Sequence, residues 1–208
     1  MTIAIIGAGN VGMALGGSLA KLGEAVHFGV PDAGKYRAAV QALGPNARIG
    51  SVAEAVAGAD LAILAVPYDA AKAVAQSLPD WGGRVLVDAT NPLAPGLAGL
   101  VVGTSSSGAE QIAGWARNAR VVKAFNTTGA ENMAAPRYAG GTVFMPVAGD
   151  DADARARVLA LATRMGFDAV DAGPLAAARW LEPFAMTWIH LAFKCGQGRN
   201  FAFVRVKR

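Results

Sequence analysis

Short apolar runs alternate with amphipathic stretches along nearly the whole chain. "TIAIIG" reads as a buried strand, and residues 10–22 follow with Val11, Leu15, Leu19 and Leu22 at helical spacing. "EAVHFG" predicts a second strand and residues 34–43 an amphipathic helix. "ARIG" predicts a short third strand. The helix "SVAEAVAG" after it is opened by Ser51, with Glu54 three residues on as in a capping box. "ADLAILAVP" is apolar throughout, as expected of a parallel strand covered on both faces, and the helix "YDAAKAVAQSL" and strand "RVLVDAT" follow.

Residues 91–108, "NPLAPGLAGLVVGTSSSG", break the rhythm and predict a long loop of the kind that is usually functional or mobile. Beyond it come a helix near 108–117, the strand "ARVVKAFN", the segment "TTGAENMAAP" and the strand "TVFMPVAG". A helix over 151–165 is opened by Asp150 or Asp151, the strand "FDAVDAG" follows, and a last long helix covers roughly 175–195. There is no internal repeat and no linker that would separate independent domains. The alternation predicts an α/β, doubly wound, mostly parallel sheet over 1–174, with a small C-terminal helical extension over 175–208 packed on it.

Composition narrows the function classes. Of 208 residues, 53% are hydrophobic and 16% charged, a balance that suits a large core and excludes disorder. The net charge is +4, but the basic residues are scattered apart from the closing "RVKR", so nucleic acid is not an expected partner. One cysteine, Cys195, allows no internal disulfide or thiolate metal cluster. With no leader pattern, and with "WIHLAF" too short to span a bilayer, the expectation is a soluble cytoplasmic protein without a membrane partner.

The candidate chemistry begins at "IIGAGNVGMAL", a G-x-G-x-x-G loop after a strand and opening a helix. Gly7 permits the tight turn, Gly9 lets backbone approach a pyrophosphate, and Gly12 lets the helix pack on the strand, with the amides of Asn10 and Val11 facing phosphate. An NAD site usually carries an acid about 20 residues further on, against the ribose hydroxyls. Here the second strand ends Gly29, Val30, Pro31, and Asp32 comes after the proline as a helix N-cap or turn residue. Val30 leaves room for a 2′-phosphate and Lys35 can meet it as a point charge, so NADP is the expected nucleotide.

No catalytic constellation is present. His27 sits inside a strand and predicts a packing role, and His190, in the last helix, a core or interface role. The three consecutive serines ending at Ser107 lack a base, and no metal spacing or nucleophile elbow occurs. Hydride transfer between two bound rings needs positioning more than protein acids and bases. No residue is therefore assigned as catalytic. At the expected carboxyl edge of the sheet, Ala65, Val66 and Pro67 flank the nucleotide, and Asn91 and Asn126 orient a carboxamide or second ring, unless they simply make local turns. Trp180, Phe184, Trp188 and Leu191 recur along the last helix as a core or dimer-packing stripe.

Taken together, "GAGNVGMAL", "LAILAVPYDA", "DATNPL", "VVKAFNT", "DAGPLAAARWLEP" and "WIHLAFKCGQGRNFAF" resemble the NADPH-dependent coenzyme F420 reductase family over essentially the whole chain. The resemblance implies a Rossmann domain, a homodimer, and hydride transfer between NADP and the deazaflavin ring. It implies a second substrate stacked near Pro67, Asn91, Asn126 and Thr127. Lys35 matches a family lysine that holds the 2′-phosphate, while Pro31 stands where the family has an arginine. Ala8 replaces a threonine common between the first two glycines, and "NTTGA" at 126–130 stands where family members carry an "HTIPA"-like segment. The expected acceptor class therefore extends from coenzyme F420 to a flavin, a quinone or a ferric complex. The alternative is a non-catalytic NADP-binding sensor or interaction protein. A reductase of imines or β-hydroxyacids is weaker, since the chain has little room for the second domain those enzymes carry.

Overall fold

The computed structural model describes residues 1–208. Its centre is an eight-stranded sheet in the order β10-β9-β6-β5-β4-β1-β2-β3. The strands are β1 (Thr2–Ile6), β2 (Ala25–Gly29), β3 (Ala47–Gly50), β4 (Leu61–Leu64), β5 (Val85–Asp88), β6 (Arg120–Lys123), β9 (Phe144–Gly149) and β10 (Asp168–Asp171). All neighbours pair in parallel except β6 and β9, which run antiparallel with Lys123 opposite Ala148. The fold is thus a mostly parallel, Rossmann-like α/β sheet with a C-terminal helix.

Both faces of the sheet are buried, and alternation along each strand divides the core in two. Ile3, Ile5, Val26, Phe28, Ile63 and Val87 face one side, in a cluster of 28 buried residues. Ala4, Ile6, Ala62, Leu64 and Leu86 face the other, in a cluster of 16. Helices α1 (Asn10–Lys21), α2 (Ala33–Gln41), α6 (Ala130–Ala134) and α7 (Ala152–Arg164) feed the first through Leu15, Val40, Met133 and Val158. Helices α3 (Val52–Ala57), α4 (Tyr68–Gln76) and α5 (Gly108–Trp115) feed the second through Val56, Ala71 and Ile112.

The helix starts follow the side chains that cap them. Ser51 and Glu54 form a reciprocal capping box at α3, Asp151 caps α7, and Ser107 caps α5 by accepting the Glu110 N–H. Ser107 is therefore a fully buried cap rather than a flexible loop residue. The last helix, α8 (Ala178–Phe193), is preceded by a separate 3₁₀ turn at Leu175–Ala177. The sequence pattern missed the hairpin of β7 (Arg137–Tyr138) and β8 (Gly141–Thr142), because two-residue strands carry no readable periodicity.

The stripe read along the last helix divides. Trp188 is 4% exposed and Trp180 73% exposed. His190 is also exposed. Beyond α8 the chain returns along the sheet edge: Phe144 N–H donates to the Phe203 carbonyl at 3.0 Å, and the Arg205 guanidinium forks onto Asp168 at 2.8 and 3.0 Å. No helix is long and apolar enough to cross a membrane.

Candidate active site

The carboxyl ends of the parallel strands open into a cleft of about 920 Å³. Its nucleotide end is built by the loop between β1 and α1, where the three glycines do different things. Gly7 has φ +107°, and a Cβ there would lie 2.5 Å from the Ala65 carbonyl oxygen. At Gly12 a Cβ would lie 2.1 Å from the Gly7 oxygen, so these two glycines let strand, turn and helix close on one another. At Gly9 a Cβ would meet nothing within 4 Å, because the space above it is the cleft. Helix α1 has neither a side-chain N-cap nor an acid in its first turn. Its first amides, at Asn10 and Val11, stay uncapped beside that open space, with the positive end of the helix dipole behind them. This is an arrangement that fits a pyrophosphate.

At the neighbouring turn Val30 is buried and donates its N–H to the Gly50 carbonyl at 3.1 Å. Asp32 is the N-cap of α2, accepting the Lys35 N–H at 3.2 Å. The Lys35 ammonium is exposed, 5.1 Å from the centre of the Tyr36 ring. Val30 and Lys35 lie outside the cleft lining.

The floor comes from three strand ends: Ala65, Val66 and Pro67 after β4, Ala89, Thr90 and Asn91 after β5, and Asn126 after β6. The two asparagines hold each other. Asn91 Nδ2 donates to the Asn126 backbone carbonyl at 2.9 Å, and Asn126 Nδ2 donates to Asn91 Oδ1 at 3.0 Å. Asn126 Oδ1 is buried without a partner, as are the hydroxyls of Thr90 and Thr127. Unpaired buried acceptors are costly in a folded chain and mark where an outside donor fits.

Beneath this floor lies a group of charges that the sequence reading did not find. The Lys123 ammonium is fully buried. It donates to Asp88 Oδ2 at 2.8 Å, to the Thr90 carbonyl at 2.6 Å and to Glu182 Oε1 at 2.9 Å. Glu182, from α8, also accepts the Gly108 and Ala109 N–H groups at 2.9 and 3.1 Å, the open end of α5. Burial alone would push the lysine pKa down, but Asp88 and Glu182 outweigh it and hold the ammonium above its ordinary range. Tyr68 lines the cleft and donates its hydroxyl to Gln111 at 2.7 Å. Burial, reinforced by Glu182 and Asp88, pushes that hydroxyl up to about 12.

The walls are largely apolar. Leu93, Pro95, Leu97 and Val101 come from the loop after β5, which an isolated bridge between Leu93 and Leu100 folds back on itself. Trp188, Ile189 and Phe193 come from α8, and Arg199 from the tail. Trp188 both packs the core and lines the cleft, and its Nε1–H donates to the Phe201 carbonyl at 3.0 Å. No group of three or more histidine, cysteine, aspartate or glutamate side chains is placed to hold a metal ion.

Of the residues expected at the site, Gly9, Asn10, Val11, Ala65, Val66, Pro67, Asn91 and Asn126 line one cleft, and Gly7 and Gly12 shape its edge. Thr127 is buried at 2% exposure and does not line it, whereas Thr128 does. The loop after β5 had a signal in its length and its Pro and Gly content. Tyr68, Trp188 and Arg199 had none that tied them to the site.

Comparison with known proteins agrees with this geometry. Residues 2–92 match the family model described as NADP oxidoreductase, coenzyme F420-dependent. The F420-dependent NADP reductase of Methanothermobacter marburgensis is 33% identical, over 93% of each chain. Among solved structures, a proposed F420-dependent NADP reductase from Arthrobacter sp. FB24 superposes with a TM-score of 0.84 at 33% identity, covering 99% of this chain and 100% of that one. A hypothetical protein from Sinorhizobium meliloti gives a TM-score of 0.78 at 31% identity, covering 86% and 87%. A glycine loop with an uncapped helix, set in a mostly parallel sheet and matched along the full length by such relatives, has one reading: the chain belongs to the coenzyme F420-dependent NADP oxidoreductase family and is an NADP-dependent oxidoreductase.

Proposed function

We propose that the protein transfers a hydride between NADP(H) and coenzyme F420 in the cleft at the carboxyl end of the sheet. The observation that carries this reading is that one continuous space runs from the uncapped start of α1 to the apolar wall of α8, with room for two ring systems. The name of the Methanothermobacter relative supports the deazaflavin as the second ring. Bound NADPH supplies a hydride, two electrons and a proton, to the acceptor ring, and a second proton comes from solvent.

The chain's own part is positioning. The amides of Asn10 and Val11 hold the pyrophosphate, and the open space over Gly9 admits it. Asp32 caps its own helix, and the exposed Lys35 in the first turn of that helix is the cation that meets a 2′-phosphate. Ala65, Val66 and Pro67 flank the nucleotide. The unpartnered Asn126 Oδ1 accepts from a carboxamide, and its bonds with Asn91 fix its orientation. The second ring packs between Pro67 and the wall of Leu93, Leu97 and Trp188.

The test mixes the protein with NADPH and oxidised coenzyme F420 and follows the deazaflavin absorbance. Rapid bleaching that fails with NADH is the expected result. Absence of bleaching with NADPH bound would assign the acceptor instead to flavins, quinones or ferric chelates. The exposed Trp180 on α8 supports a homodimer, tested by light scattering on the protein and on Trp180→Glu. The lone free cysteine, Cys195, supports a reducing, cytoplasmic setting.

A further inference from the structure

The Lys123 cluster has more carboxylates than ammonium groups. Asp88 and Glu182 bring two negative charges and Lys123 one positive charge, and all three side chains are 0–1% exposed. Every group facing the carboxylate oxygens is a donor: the Thr90 N–H on Asp88, the Gly108 and Ala109 N–H groups on Glu182, and the shared ammonium. Donors around both acids are the surroundings that two carboxylates take. The α5 end contributes only a partial positive charge, about half a unit. Counted as two carboxylates and one ammonium, the cluster keeps a formal net negative charge.

The cluster lies next to the cleft floor. Asp88 directly precedes Ala89, Thr90 and Asn91, which line the cleft, and the Thr90 carbonyl itself accepts from Lys123. The nicotinamide ring carries a positive charge when oxidised and none when reduced. A negative charge under that ring therefore stabilises one redox state more than the other.

We infer that Lys123, Asp88 and Glu182 form a buried cluster with a net negative charge beneath the cleft floor, and that this charge shifts the site's preference toward the oxidised nucleotide. The inference rests on the proposed placement of the nicotinamide at the β5 and β6 ends. Tighter holding of NADP⁺ relative to NADPH lowers the potential of the bound couple and makes bound NADPH a stronger hydride donor. A tenfold change in the ratio of dissociation constants is about 30 mV for a two-electron couple.

The experiment compares the wild-type protein with Glu182→Gln and, should that variant not fold, Asp88→Asn. Dissociation constants for NADP⁺ and NADPH are measured separately by calorimetry, and the Tyr68 hydroxyl is titrated by NMR on protein without nucleotide. Removing one charge is expected to weaken NADP⁺ relative to NADPH by roughly three- to tenfold. It should also bring the Tyr68 hydroxyl down from about 12. A purely structural cluster would change both affinities by the same factor and leave Tyr68 in place, which would overturn the inference and leave the cofactor reading intact. A fall at Tyr68 with an unchanged affinity ratio would also overturn it, by showing that the charge exists but the ring lies elsewhere. A wild-type Tyr68 titrating in the ordinary range near 10 would dispose of the charge even if neither variant folds.

Discussion

The indole of Trp188 stacks on the ring of Phe201, with centroids 5.2 Å apart and planes 24° from parallel, and its N–H bonds the carbonyl of the same residue. Helix and tail thus hold each other where the helix forms the cleft wall. Phe201→Ala is expected to lower stability by about 2 kcal/mol, less than a fully buried aromatic because Phe201 is half-buried. It should also raise KM for the acceptor more than for NADPH. Steady-state kinetics beside thermal denaturation checks both.

Two glycines of one motif should fail in opposite ways. Gly12→Ala drives a Cβ to 2.1 Å from a backbone oxygen and is expected to cost about 3 kcal/mol or more in stability. Gly9→Val adds its side chain into open space and should keep the melting temperature while NADPH binding falls at least tenfold. Nucleotide fluorescence titration and calorimetric melting separate the two.

Lys123→Met leaves two carboxylates buried without their counter-ion and is expected to destabilise by about 3–5 kcal/mol. The triple change Lys123→Met, Asp88→Asn, Glu182→Gln removes the charges together and should recover part of that loss. Urea denaturation of both proteins measures the difference.

Glu24 is buried, bonded to the N-terminal amine at 2.6 Å and to Arg164. The amine, followed by Arg164, holds its carboxyl below the ordinary carboxylate range against the opposing effect of burial. The folded chain then binds this proton more weakly than the unfolded one. The pair adds stability above the ordinary range, and that stability is lost as pH falls through the lowered folded value. Glu24→Gln should flatten this acid limb of the stability curve while lowering the plateau near neutral pH, as urea denaturation from pH 3 to pH 7 would record.

The parts of the fold legible in the sequence are those whose signal is local. Ser51 and Glu54 announce their helix by spacing alone, and Ile3, Ile5 and Ile63 announce buried strands by type. The glycine loop and the strand ends Pro67, Asn91 and Asn126 could be assembled because a parallel α/β sheet gathers its carboxyl edge by topology. Lys123 could not be assigned this way. In "ARVVKAFN" it reads as an ordinary charged residue, and its partners lie 35 and 59 positions away in the chain. The division of the α8 stripe, with Trp188 inside and Trp180 outside, is likewise decided by the packing of α8 and its tail rather than by helical period.

The contact between Glu182 and the start of α5 joins groups 74 residues apart. Glu182 is made 74 residues after Gly108, so the amides of Gly108 and Ala109 go without this partner until α8 has formed, whereas Lys123 already has Asp88 and the Thr90 carbonyl. Docking of α8 is therefore the step that closes this contact and completes the surroundings of Lys123. Drugs or mutations that delay that docking would act on yield of active protein without touching any group that meets the substrate.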